Sequence, residues 1–171
     1  MSDAGDVPPP KYALSAYFGT TRDEIIDTIP HAASLGMKVV EVGPCRAILR
    51  LPYRDFLVGD PTRGVVFGGV ITTLIDQALG LAVSLSLEDL RPVATLDLRI
   101  DYLRPAVPGK DLFGLGECYK NTRNVGFARG LAYDASESDP FATCLATFML
   151  GSTMGDTPFA AALDEYAGKT K

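Results

Sequence analysis

Two features of the segment 68–84 have the residue types and spacing for chemistry: a pair of glycines and a carboxylate that follows them. Gly68 and Gly69 begin an apolar run, and Asp76 lies within it. Glycines leave the first backbone N–H groups of a helix unobstructed, and the partial positive charge there can polarise a carbonyl oxygen. A carboxylate in apolar surroundings is costly unless it has a partner or a catalytic role. Asp76 is therefore the main acid–base candidate, and the glycines are candidate oxyanion donors.

Each of these residues also has a purely structural explanation. Glycines permit close packing, and hydroxyl groups of Thr72, Thr73 or Thr95 could satisfy the Asp76 carboxylate. Small and polar residues recur every fourth position on one side of the helix: Thr72, Asp76, Gly80 and Ser84. Such a stripe is equally suited to close packing against a sheet or another helix, so the pattern alone leaves both interpretations open.

The separation of the glycines from Asp76 has a consequence for assembly. Seven or eight helical residues span roughly 10–12 Å at about 1.5 Å per residue. A general base and an oxyanion donor must each lie about 3 Å from the reacting atoms. One helix cannot bring both to the same carbonyl, whereas two antiparallel copies crossing near their middle can. The pairing of the two features therefore predicts a functional homodimer.

The elements that hold these residues follow from the hydrophobic pattern. Residues 68–87 lack proline and strand alternation, which predicts one long helix buried on nearly every side. Six other apolar segments have strand character and are separated by short turns: 38–42, 46–51, 93–103, 111–120, 125–133 and 141–150. Because hairpin-length gaps indicate antiparallel pairing, we predict an α+β class with the sheet curled round the helix.

Three further segments complete the predicted organisation. Residues 1–20 are predicted to be a flexible leader, residues 21–152 a single domain and residues 153–171 a C-terminal tail. Thr21 followed by Glu24 resembles a capping box, which predicts a short helix over 22–28. Residues 52–63 are polar and are predicted to form a turn around Gly59-Asp60-Pro61.

Composition narrows the classes of partner. The chain has 171 residues and a net charge of −5, which disfavours nucleic-acid binding. Its single histidine, His31, excludes a metal site with several imidazoles. Cys45, Cys118 and Cys144 show no paired spacing, which indicates free thiols in a reducing cytoplasm. Charged and polar residues in the long apolar run disfavour a membrane span, so we expect a cytoplasmic protein without membrane or metal partners.

Positive charge is concentrated in one stretch of this acidic chain. Residues 99–129 contain six basic residues against three acidic ones, the basic ones being Arg99, Arg104, Lys110, Lys120, Arg123 and Arg129. Such a stretch can hold a phosphorylated ligand through charge-assisted hydrogen bonds. It can equally be the solvated faces of strands, and the polar turn at 121–124 is compatible with either interpretation.

Four runs of the sequence together resemble one known family: GVVFGGVITTLIDQALGLA, VATLDLRIDYLRPAVPGKDL, NTRNVGFARG and ATCLATFML. Over about residues 36–151 the chain is similar to the PaaI-like acyl-CoA thioesterases of the hotdog-fold superfamily. The resemblance implies a long central helix wrapped by a curved antiparallel sheet, assembled as a homodimer or homotetramer. It also implies hydrolysis of an acyl-coenzyme A without a cofactor or metal.

The resemblance assigns roles to particular residues. It implies that Asp76 is the general base or nucleophile, that Thr95 orients water, and that the backbone N–H of Gly68, next to Gly69, polarises the thioester carbonyl. It implies a further set of substrate-binding residues, in which the segments 102–106 and 120–125 hold the coenzyme A moiety: Asp60, Phe67, Tyr102, Arg104, Pro105, Lys120, Thr122, Arg123, Asn124 and Val125.

Two positions depart from the family pattern. Phe67 replaces the histidine of the family motif, and Asp60 lies in the turn where an asparagine is common. The backbone donor of Gly68 is retained, but a side-chain hydrogen bond is lost. The leading hypothesis is an acyl-CoA thioesterase, and its rival is a non-catalytic acyl-CoA-binding or structural hotdog protein. A hydratase or dehydratase is disfavoured because the only histidine lies outside the helix.

Overall fold

The central element is one long helix, α2 (Gly68–Leu85), which lies against an antiparallel sheet. A computed structural model describes residues 26–27, 29–89 and 91–151. The six strands of the sheet, in chain order, are β1 (Lys38–Gly43), β2 (Arg46–Leu51), β5 (Val93–Tyr102), β6 (Leu112–Asn121), β7 (Val125–Tyr133) and β8 (Ala142–Leu150). They are ordered β1-β2-β6-β7-β8-β5 across the sheet, and every pairing is antiparallel.

This arrangement confirms the predicted α+β class and the hotdog fold. The inner face of the sheet packs on α2 through a continuous apolar core that includes Leu49, Leu74, Ala128 and Phe148. The helix backbone contacts the sheet directly at β6, because a side chain at Gly116 would collide with the carbonyl oxygen of Ala78. By length and composition alone α2 could cross a membrane, but half of it is buried inside the protein as its core helix.

The segment before α2 is more structured than its polar composition predicts. A short helix, α1 (Pro30–Leu35), precedes β1, and a 3-10 turn (Asp55–Leu57) follows β2. The turn predicted around Gly59-Asp60-Pro61 is present directly after Asp60, and the strand β3 (Val58–Asp60) leads into it and pairs with β4 (Val65–Val66). Within the described residues four strands therefore precede α2 instead of the predicted two, because these short strands satisfy each other's backbone groups without an apolar pattern.

Other predicted boundaries differ slightly or lie outside the described residues. Helix α2 ends at Leu85, two residues before the predicted end at 87. The predicted leader (1–20) and tail (153–171) lie outside the described residues, and so does most of the predicted helix over 22–28. The division of the chain into leader, single domain and tail stays a prediction.

A bulge interrupts the alternation of side chains along β5 at one point. A bulge between Thr95 and Asp97 shifts the register, so Thr95 pairs with Phe148 while Leu98 pairs with Ala146. Both partners on β8 face the core, which places Thr95 on the inner face. Uninterrupted alternation would have turned Thr95 to the outer face, because a one-residue change of register reverses every side chain.

An ion pair fixes the loop that follows β5. Nη1 of Arg104 donates to Oδ2 of Asp134 at 2.8 Å, and Nη2 donates to Oδ1 at 3.1 Å. The Asp134 side chain is only 1% exposed, and it also accepts a hydrogen bond from the Val107 N–H at 2.8 Å. The hydrogen bonds from Arg104 and Val107 lower the pKa of Asp134 below its usual value. The loop is therefore tied to the end of β7.

This ion pair predicts an acid-dependent part of the stability, which an Asp134→Asn variant isolates. Since the folded-state pKa of Asp134 is lowered, its contribution is full above the unfolded-state pKa of about 3.9 and is lost as the pH falls through the folded-state value. We expect the difference in free energy of unfolding between wild type and variant to shrink from about pH 7 to about pH 3, as measured by urea denaturation.

Comparing wild type with Asp134→Asn cancels the pH-dependent contributions to stability that both proteins share. Asp111 also has a lowered pKa, caused first by the Tyr53 N–H and then by Arg50, but both proteins retain it. A stability difference that stays constant over this pH range would contradict the proposed contribution of Asp134.

Candidate active site

The structure brings Asp76 and Thr95 together. Asp76 is half-buried near the middle of α2, and the Thr95 hydroxyl on β5 donates to its Oδ1 at 2.8 Å. Of the three hydroxyls that could satisfy the carboxylate, Thr95 is the partner, whereas Thr72 and Thr73 donate to carbonyl oxygens of the preceding turn. Since a hydroxyl has one proton and two lone pairs, the Thr95 oxygen can still accept a hydrogen bond from water.

The N-terminus of α2 has backbone donors that point out of the helix. The first N–H groups of any helix lack acceptors within it, and here Phe67 is an N-cap residue whose side chain makes no capping hydrogen bond. The Phe67 ring is 61% exposed and packs over Gly69, where a Cβ atom would lie 2.5 Å from a ring carbon. The glycine at 69 is therefore needed beside this aromatic ring, and the helix start can stabilise negative charge.

Tyr102 lies at this helix start. Its hydroxyl donates to the carbonyl oxygen of Gly68 at 3.0 Å, and the Thr72 hydroxyl donates to the same oxygen at 3.1 Å. The sequence resemblance implied only a substrate-binding role for Tyr102, so its contact with the first turn of α2 is a new finding.

Asp60 organises the loop that leads to the helix. Its Oδ1 accepts hydrogen bonds from the N–H groups of Thr62 and Arg63, at 3.0 and 3.3 Å. An asparagine side chain would use its amide oxygen in the same way, so the aspartate maintains this turn. The second oxygen, Oδ2, lies 3.8 Å from the Arg63 guanidinium. Asp60 therefore has a clear structural role.

Three arginines of the basic stretch 99–129 form ion pairs with acidic side chains. Arg99 pairs with Asp101, Arg129 pairs with Glu117, and Arg104 is held by Asp134 and Asp139. The pairing of Arg104 directs its guanidinium to the loop, so it is not the open cation that the substrate-binding hypothesis expects. Pro105 follows it on the exposed loop surface, and its carbonyl oxygen accepts a hydrogen bond from the same guanidinium.

The turn between β6 and β7 retains exposed positive charge. Lys120 and Arg123 are exposed there, and the Thr122 hydroxyl closes the turn by accepting the Val125 N–H at 3.0 Å. Asn124 is exposed beside them, and its carbonyl oxygen accepts the N–H of Leu150.

Arg91, which the sequence analysis did not single out, adds a guanidinium to this surface and also pairs with the exposed Asp89 at 3.7 Å. Its Nη1 donates to the carbonyl oxygen of Arg123 at 3.4 Å. No local pattern could have identified this contact, because it joins two loops that are distant in sequence.

The other candidate side chains lie outside this site. His31 is exposed on α1, and the described part of the chain contains no group of three side chains able to hold a metal. Cys118 and Cys144 are buried, and burial raises the pKa of Cys144 to about 12. Cys45 occupies the β1–β2 turn in a left-handed conformation (φ 63°) and is half-buried.

Comparison with known proteins gives a consistent result. Residues 63–140 match the family model described as the thioesterase superfamily. Over 136 residues the chain is 28% identical to the medium/long-chain acyl-CoA thioesterase YigI of Escherichia coli, covering 72% of this chain and 86% of that one. Over 77 residues it is 44% identical to a Halobacterium salinarum protein named "putative esterase", and the match covers 42% of this chain but only 50% of that protein's length.

Two solved structures are similar to this chain in both sequence and fold. A protein from Pseudomonas aeruginosa is 41% identical with a TM-score of 0.67, covering 75% of this chain and 95% of that chain. A mutant of the phenylacetic acid degradation protein PaaI from Thermus thermophilus is 26% identical with a TM-score of 0.60, covering 70% of this chain and 97% of that chain.

Proposed function

The chain belongs to the thioesterase superfamily and has its hotdog fold, and from this premise we propose that it hydrolyses acyl-coenzyme A. The observation that carries the proposal is the 2.8 Å hydrogen bond from Thr95 to Asp76 on an incompletely buried face of α2. The relative named as a medium/long-chain acyl-CoA thioesterase supports the choice of substrate class. A thiol-release assay with short, medium and aryl acyl-CoAs tests it, and no turnover of any of them would contradict it.

In the proposed reaction Asp76 takes a proton from water as the water oxygen attacks the thioester carbon. The carbonyl electron pair moves to oxygen, and the N–H groups of Gly68 and Gly69 at a helix start stabilise this oxyanion. Collapse of the intermediate breaks the C–S bond, and the coenzyme A thiolate takes the proton from Asp76. If Asp76 is instead the nucleophile, its carboxylate attacks the thioester carbon, the C–S bond breaks and the coenzyme A thiolate leaves, which gives a mixed anhydride. Water then hydrolyses the anhydride to the free acid and regenerates the Asp76 carboxylate, and the thiolate takes up the proton released. Water is the only co-reactant, so we propose no resident cofactor or metal.

We propose that the active unit is a homodimer with shared sites, which can pair further into a homotetramer. The helix distance described above requires Asp76 of one subunit to face Gly68 and Gly69 of the other. The position of β5 supports this assembly, because among the described residues β5 is an end strand of the sheet and its bulged residue Leu96 is 57% exposed. An unpaired strand edge with exposed apolar residues favours pairing with a second copy.

We propose that the β6–β7 turn holds the phosphates of coenzyme A in this cytoplasmic enzyme. Lys120 and Arg123 supply exposed positive charge there, and Arg91 lies against the turn. Cationic side chains and turn amides form charge-assisted hydrogen bonds to phosphate oxygens. Arg104, which is held by acidic residues, is left out of this proposed subsite.

A Thr95→Val variant tests how Asp76 is positioned. Valine keeps the shape of threonine and removes the hydroxyl that donates to Asp76. We expect kcat to fall by about 10- to 100-fold, since hydrogen bonds to charged groups contribute about 1.5–3 kcal/mol. Thr95→Ser, which retains the hydroxyl, is the matched control and is expected to keep most of the activity in the thiol-release assay. Equal losses in both variants would indicate that the hydroxyl is not the important group.

One observation favours a second candidate, a non-catalytic acyl-CoA-binding protein. The Phe67 ring, in the place of the family's histidine, packs over Gly69, which is one of the two proposed oxyanion donors. Calorimetric titration with the same acyl-CoAs distinguishes the two functions. Binding without thiol release would favour the binding protein, whereas turnover that depends on Asp76 would favour the enzyme.

A further inference from the structure

The first two peptide planes of α2 are held in different ways. The plane that carries the Gly68 N–H is fixed through the Phe67 carbonyl oxygen, which accepts the N–H groups of Val70 at 3.0 Å and Ile71 at 3.4 Å. The plane that carries the Gly69 N–H is fixed through the Gly68 carbonyl oxygen, which accepts the Thr72 N–H as part of the regular helix. That oxygen accepts two side-chain hydroxyls in addition, one from Tyr102 and one from Thr72.

These hydroxyls act on the proposed oxyanion donors through the peptide group. Because the C=O and N–H of one peptide lie in a common plane, a hydrogen bond to the Gly68 oxygen restrains the direction of the Gly69 N–H. Donation to the carbonyl oxygen also polarises the amide and strengthens its N–H as a donor. Glycine has wide backbone freedom, so two consecutive glycines are the place where such restraint has the greatest effect.

From this geometry we infer that Tyr102 is a positioning residue, which aims the Gly69 N–H at the thioester oxygen through the Gly68 carbonyl group. This inference rests on the proposed function. Thr72 is the second positioning residue: the hydroxyl oxygens of Thr72 and Tyr102 lie 3.4 Å apart while both reach the Gly68 oxygen. Thr72 and Asp76 lie on the same side of α2, one turn apart. This side of the helix therefore carries both the proposed base and a residue that positions the proposed donor.

If the role of Tyr102 were purely structural, Tyr102→Phe would lower the activity no more than its small loss of stability explains. Tyr102 is 51% exposed, so the loss of its hydroxyl changes little buried surface. We expect Tyr102→Phe to lower Tm by no more than about 2–4 °C. An effect on the chemical step larger than this small loss of stability identifies the positioning role.

The experiment compares Tyr102→Phe with Tyr119→Phe. Tyr119 is a matched control, because it is 52% exposed and its ring packs against Phe127, away from the first turn of α2. We expect kcat of Tyr102→Phe to fall by about tenfold while KM stays within about twofold, since the donor is misdirected without loss of substrate contacts. The control is expected to keep both constants.

A spectroscopic measurement tests the inference without any turnover. Loss of the hydrogen bond to the Gly68 oxygen depolarises the next amide, so the 15N resonance of Gly69 should move in Tyr102→Phe and stay in Tyr119→Phe. A kcat of Tyr102→Phe close to that of wild type, or a rise of KM alone, overturns the inference and leaves the proposed function standing. A wild-type protein inactive on every acyl-CoA overturns the proposed function and the catalytic part of the inference together.

Discussion

Replacing Asp76 by asparagine is expected to lower kcat for acyl-CoA hydrolysis by about 10²- to 10⁴-fold, the usual contribution of a general base. Asparagine keeps the size of the side chain and can still accept the Thr95 hydroxyl through its amide oxygen, so folding should be preserved. What is lost is the ability to take a proton from water or to act as a carboxylate nucleophile. Steady-state thiol release and Tm of the purified variant measure the two effects separately.

The matched control for this variant is Asp27→Asn. Asp27 is an exposed carboxylate that pairs with Lys38 on β1, at the opposite edge of the sheet from β5, and exposed pairs of this kind contribute about 0–1 kcal/mol. The control should keep wild-type kcat. Wild-type activity in Asp76→Asn would remove Asp76 from the mechanism.

Mixing two inactive variants tests whether the site is shared between subunits. Asp76→Asn lacks the proposed base, and in Gly69→Val the new side chain must displace the Phe67 ring at the helix start. If the base and donors come from different subunits, a mixed dimer has one site with neither defect. Activity should then return after the variants are unfolded and refolded together. No recovery despite demonstrated mixed dimers would place both groups in one subunit.

Arg104→Ala is expected to destabilise the fold by about 3–5 kcal/mol, because it leaves the Asp134 carboxylate buried without its counter-ion. The Arg104 side chain is 27% exposed, so water can enter the vacated space and the lower end of this range is expected. Such a loss is a large part of the total stability of a domain, about 5–15 kcal/mol. Urea denaturation near neutral pH measures it.

Arg129→Ala is the control for this effect. Its ion pair with Glu117 is exposed on both sides and lies on β6 and β7, away from the β5 edge, so we expect a change of at most about 1 kcal/mol. A loss in Arg104→Ala as small as that of Arg129→Ala would show that Asp134 does not depend on its partner. The comparison separates a buried counter-ion from a surface cation within the same basic stretch.

Phe67 lies at the position where the resembled family has histidine, and it affects only the surface around the start of α2. The backbone donor after it is unaffected, and the Phe67 ring occupies the space over Gly69. A small residue at position 69 is therefore required both by the helix start and by the neighbouring ring. The ring adds an apolar surface beside the proposed oxyanion donors, where the acyl group of the substrate would approach.

Much of this architecture is present in local patterns of the sequence. The absence of proline and of alternation over residues 68–87 is sufficient to predict α2, because only a helix accommodates so long an apolar run. Alternating residues predict the strands, since period two places every second side chain on the core. Gly68 and Asp76 are recognisable for the same reason: their unusual chemistry contrasts with the apolar residues around them.

Tertiary structure alone decided the contacts between these elements. The bulge at Leu96 turns Thr95 toward Asp76, and the Tyr102 hydroxyl reaches Gly68 only because the end of β5 lies beside the first turn of α2. The separation of Arg104 from the exposed cations likewise depends on Asp134, which follows another strand. The sequence by itself determined the helix, the strands and the reactive residue types, because these follow from periodicity and side-chain chemistry. Strand order, a one-residue change of register and the pairing of charges depend on neighbours far apart along the chain, so they were decided only when the sheet closed around the helix.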